Sequence, residues 1–78
     1  MTRVSLKDLE QAEASANYYL RRAGIPVRLR VEGRYGYTAI DLADPKGQVI
    51  DTLVAGLTRR EALTILQTIK RVLSYETT

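Results

Sequence analysis

Apolar residues along this chain of 78 residues fall into two helical stretches flanking three alternating ones. In the first, Leu6, Leu9, Ala12, Ala16, Tyr19, Leu20 and Ala23 recur at helical spacing. Ser5 stands where an N-cap belongs, and Asp8 at N3 makes a weaker form of the capping box. Val4 and Leu9 are placed for a hydrophobic staple. Gly24 suits the C′ position and Pro26 forbids continuation, so the pattern predicts a helix over about 5–23. In the last stretch, Ala62, Ile65, Leu66, Ile69, Val72 and Leu73 keep helical spacing after a capping box of Thr58 and Glu61. That helix runs to about Ser74.

Between the helices, "VRLRVE" (27–32) alternates strictly, "YTAIDLA" (37–43) follows the turn "GRYG", and "QVIDTLVA" (48–55) follows "DPKG". The second turn suits type I with Gly47 closing it as a G1 bulge. If Gly33 and Gly36 close the first hairpin, Leu29 faces Ile40 and Val31 faces Thr38. If Asp44 and Gln48 close the second, Leu42 faces Ile50, Ile40 faces Thr52 and Thr38 faces Val54. Both registers gather the apolar residues of three strands on one face, and a one-residue slip in either would scatter them. The expected architecture is α+β: one two-layer α-β-β-β-α domain spanning residues 1–78, ordered over about 5–75. A three-stranded antiparallel meander carries both helices on one face. No segment remains to cover the other face, where Tyr37, Ala39, Val49 and Leu53 form a patch suited to a homodimer.

Composition narrows the chemistry. The chain has no cysteine and no histidine, which removes disulfides, thiolate metal sites and imidazole catalysis. It shows no phosphate loop, nucleophile pair, metal-ligand spacing or cofactor motif. No apolar run approaches a membrane span and no leader pattern opens it, so a soluble cytoplasmic protein is expected. The net charge is +3, and nine of the twelve cations are arginine. That excess fits phosphate binding, or simply a GC-rich coding sequence or a hot habitat.

Three constellations carry candidate chemistry. In the expected register Asp41 and Asp51 oppose each other, either as an acid/base or cation-binding pair or as part of a salt-bridge row with Arg28. Tyr35 and Tyr37 flank the hairpin tip beside Arg34, as a stacking finger for unpaired bases or as a plain turn. Tyr18 and Tyr19 read as rim and core. On the last helix, Arg60, Thr64, Gln67 and Arg71 form a polar stripe, with Arg59 and Lys70 adjacent. The stripe is a phosphate-contact surface or a solvated face; arginines in a first turn weaken the helix slightly while concentrating positive field at its free N–H groups.

The element order together with Gly56, Thr58, Arg59, Arg60 and Ala62 resembles the double-stranded RNA-binding domain. That resemblance implies phosphate contact by Arg59 and Arg60 across a major groove. The chain departs from the family in its first hairpin loop, which is short and lacks Pro and His. It departs again in the early turns of the first helix, which carry Asp8, Glu10 and Glu13. The stretch from Tyr35 to Leu63 also looks like small uncharacterised phage proteins, which implies an accessory factor. The expected function is a non-enzymatic binding module without cofactor. Its candidate nucleic-acid contacts are Arg34, Tyr35, Arg59, Arg60, Gln67 and Arg71; the alternative is a self-associating interaction protein.

Overall fold

Both helices begin at the residues suited to cap them. In a computed structural model describing residues 3–76, Ser5 Oγ accepts the Asp8 N–H at 3.1 Å and Asp8 returns the bond to the Ser5 N–H at 3.0 Å. Helix α1 (Leu6–Arg22) ends in a Schellman motif: Gly24 takes φ +74°, its N–H reaches the Arg21 carbonyl, and the Ile25 N–H reaches that of Leu20. Strands β1 (Arg28–Arg34), β2 (Tyr37–Ala43) and β3 (Val49–Leu57) form one antiparallel sheet in that order, followed by α2 (Arg59–Glu76). The order is the expected α-β-β-β-α.

The first hairpin closes one residue later on each strand than the glycines suggest, which shifts its register by two. Arg34 pairs with Tyr37, Val31 with Ile40 and Leu29 with Leu42. The loop is Tyr35–Gly36, both at positive φ (47° and 83°), as a type I′ turn requires. Because the shift is by two, the apolar side chains of β1 and β2 keep the face assigned to them. The second hairpin closes as expected, with the Asp44 N–H donating to the Gln48 carbonyl and Gly47 at φ +92°.

Beyond that turn β3 departs from simple alternation. Ala43 pairs with Val49, Leu42 with Asp51, Asp41 with Thr52, Ile40 with Val54 and Thr38 with Leu57, with a register shift at three points. Ile50 and Leu53 are extra residues at two of these bulges, and Gly56 (φ +73°) stands at the third. The core lies between sheet and helices: Leu9, Ala16 and Leu20 from α1, Leu29 and Ile40 from the sheet, Ala62, Leu66 and Leu73 from α2. Strand β3 adds only Val54 and Leu57, both half-buried.

The other sheet face is not bare, contrary to expectation. Ala39, Asp41 and Ala43 on β2 are buried there. The Arg30 guanidinium leaves β1 and ends at the Gly47 carbonyl, 3.5 Å away, so its stem crosses β2. Arg34 reaches Asp41 from the same strand. Long cationic side chains roof the small residues of the central strand with their aliphatic stems.

Candidate functional site

Thr58 fixes the start of α2. Its hydroxyl accepts the Glu61 N–H at 3.1 Å, and Glu61 accepts the Thr58 N–H at 2.8 Å. The Thr58 backbone bond, then its hydroxyl, holds the Glu61 carboxyl below the usual glutamate range. Ser5 does the same for Asp8, again chiefly through its backbone N–H. Both folded pKa values are depressed, so this support is present above the ordinary carboxylate range and fades as pH falls through the folded values. Thr58→Ala should cost roughly 1 kcal/mol through loss of the hydroxyl that accepts the Glu61 N–H, and most of that cost should persist in acid because alanine keeps the backbone N–H that holds the carboxylate. Urea denaturation at neutral and acid pH measures it; a loss that disappears in acid would tie it to the Glu61 carboxylate rather than to the hydroxyl cap.

Arg59 follows the cap, exposed, with its guanidinium 3.5 Å from the Val4 carbonyl. This start of α2 meets the first hairpin tip and the N-terminal half of α1 around a cleft of about 460 Å³. Leu6, Leu9 and Leu57 give it an apolar lining. Arg59 stands on one rim, Glu10 and Glu13 on another, and Arg34, Tyr35 and Tyr37 on the hairpin side.

Tyr35 is the most unusual residue of the cleft. It is 99% exposed and holds φ +47°, a conformation that costs a non-glycine L-residue roughly 1–2 kcal/mol. Asn, Asp or Gly is preferred at that place in a type I′ turn. The aromatic ring gains no burial within the chain to offset the strain, and such unrewarded strain is a mark of binding sites.

Arg34 plays another part than the one expected of it. Its guanidinium binds Asp41 at 2.5 Å and Glu32 at 3.2 Å, so its charge is balanced inside the chain. Asp41 is fully buried, and the Thr52 hydroxyl donates to its second oxygen at 3.0 Å. The expected Asp41–Asp51 pair does not form. The bulge at Ile50 brings Thr52 opposite Asp41, placing a hydroxyl donor where a second carboxylate would have stood. Asp51 is exposed on the edge strand and accepts the Thr52 N–H. Arg28, expected beside Asp41, instead donates to the Ile25 and Val27 carbonyls and ties down the α1–β1 connection.

The remaining candidates divide. Arg60 is exposed at the start of the α2 stripe. Gln67 and Arg71 line a shallow hollow with Lys70 and Ser74 farther along the helix, away from the cleft. Of the four residues of the expected dimer patch, Ala39 is fully buried, Tyr37 also lines the cleft, and Val49 and Leu53 are exposed on β3. Tyr19 packs on the core, while Tyr18 meets it edge-on at 5.2 Å under the Arg22 guanidinium.

Sequence reasoning missed two residues. Asn17 both donates to the Leu29 carbonyl (2.9 Å) and accepts its N–H (2.7 Å), and Glu13 accepts the Val31 N–H at 2.6 Å. They stand four apart on α1, a spacing that puts both on one flank. A search for polar pairs bordering the apolar stripe would have found them. No protein-family model, curated protein or solved structure matches the chain.

Proposed function

We propose that the chain is a non-enzymatic binding module that contacts nucleic-acid phosphates at the start of α2 and stacks an unpaired base on Tyr35. The observation that carries this reading is the strained, wholly exposed Tyr35 on the same cleft as Arg59. Base stacking on an exposed aromatic tolerates any sequence and is worth about 1–3 kcal/mol per base. Arg59 and Arg60 supply the phosphate contacts, beside N–H groups that already present positive potential. Arg34 positions the hairpin carrying Tyr35, with Asp41 and Glu32 balancing its charge. Gln67 and Arg71 extend the contact along α2 on a long ligand. Glu10 and Glu13 put negative charge on the α1 side of the cleft, which disfavours a second phosphate backbone there and favours single-stranded ligands.

Titration against single- and double-stranded DNA and RNA at two salt concentrations tests the reading. Arg59→Ala with Arg60→Ala should weaken binding and reduce the log–log salt slope by about 0.7 per lost contact on single strands. Tyr35→Ala should weaken single-stranded binding roughly tenfold or more with the slope unchanged. Absence of binding at low salt, or equal binding by the double variant, overturns it.

A further inference from the structure

The two edges of the sheet are treated differently. The β1 edge is closed by α1, whose Asn17 and Glu13 occupy the main-chain groups of Leu29 and Val31. Strand β3 forms the other edge. Its aliphatics Ile50 and Leu53 are 58% and 47% exposed, lifted out by the bulges. Of its nine residues only Asp51 is charged, so it lacks the lysines and prolines that usually blunt such an edge.

Helix α2 continues this surface. Leu63, Gln67 and Lys70 line the hollow against α1, so helical spacing puts Ile65, Thr68, Val72 and Tyr75 on the flank turned away from α1. A helix that starts directly after a strand and packs on the same sheet runs back along it. This carries Val72 (59% exposed) and Tyr75 (78%) toward the start of β3.

We infer that a second copy of this chain docks on this shelf, β3 beside β3, about a two-fold axis near Leu53. Three features select that occupant. Between copies only one edge is open, so edge-to-edge association can only be isologous and closes at two. Strands pair about 4.8 Å apart, so a helix lying over β2 and β3 sits roughly 5 Å from the axis and meets its mate at about 10 Å, a normal helix-packing distance. The exposed parts of Ile50, Leu53, Val72 and Tyr75 offer on the order of 500 Å² per copy, and edge main chain and rim supply the remainder of the roughly 800 Å² a stable interface needs. Antiparallel pairing about Leu53 sets each Asp51 against the mate's Ala55 rather than against its own counterpart. Because Asp51 already accepts the Thr52 N–H, the ladder is short and side chains carry the contact.

This inference does not rest on nucleic-acid binding, and sedimentation equilibrium without nucleic acid tests it. The native chain should sediment as a dimer at high micromolar concentration. Leu53→Asp should weaken association at least about a hundredfold by burying an unpaired charge at the axis. Val72→Lys, on an exposed helix position that leaves the fold intact, should do the same and guards against misfolding of the strand variant. Gln11→Lys on α1 should remain dimeric. A native monomer, a dimer indifferent to Val72→Lys, or one dissolved by Gln11→Lys overturns the proposal.

Discussion

Replacing Arg34 with alanine should destabilise the domain by about 3–5 kcal/mol, more than any other substitution of a surface cation. The reason is Asp41. Its carboxylate is fully buried and its ionic partner is the Arg34 guanidinium, with the Thr52 hydroxyl as a neutral second donor. Removing one member of a buried ion pair leaves the other charge desolvated and uncompensated, which is the origin of losses of that size. The Glu32 arm of the network is more exposed and contributes little. The pair itself adds much less than its rupture costs, so Arg34→Met combined with Asp41→Leu should recover most of the stability. Guanidinium denaturation of the single and double variants checks both statements. A mild Arg34→Ala would mean that water or another donor reaches Asp41.

The second large effect is expected at Ile40. This side chain is fully buried at the centre of β2, within the cluster joining both helices to the sheet. Ile40→Ala should cost about 2–5 kcal/mol through lost burial and the cavity left behind. In a domain of this size that approaches the whole margin. Ile50→Ala, two strand positions from the turn, should cost little within one chain because Ile50 stands out at a bulge. Thermal and denaturant unfolding of the two variants at low protein concentration tests the β3 register. Equal losses would restore the simple alternation in which Ile50 faces inward.

Strong local rules made the elements readable. Ser5 with Asp8, Thr58 with Glu61 and Gly24 before Pro26 each fix an end by chemistry within a few residues, and each behaves as its sequence implies. The faces of β1 and β2 were legible because period-two patterning survives a shift of two. Strand β3 was not, because its register answers to a partner on another strand: buried Asp41 draws Thr52 across, and alternation gives way at Ile50 and again at Leu53. The candidate site was legible in part. Arg59 stood out as a cation in a helix's first turn and Tyr35 as an aromatic at a hairpin tip, but that they share a cleft depends on how helices and sheet meet. Arg34 looked like an anchor for a ligand because nothing in the string of letters shows that Asp41, seven residues on, lies beneath it.

The hydrogen bonds from Asn17 and Glu13 also set how this protein can fail. Helix α1 and the edge of β1 are secured by the same bonds, so local opening that lifts the helix bares the strand in one step. In the proposed pair the intact chain adds a neighbour on one side only. A chain with α1 detached, whether by clipping, truncation or replacement of Asn17, has two sticky sides facing opposite ways. Each added molecule then presents a fresh side to the next, and growth has no terminus. In that state the proposed pair would give way to an open-ended fibre, for which the first helix is the stopper.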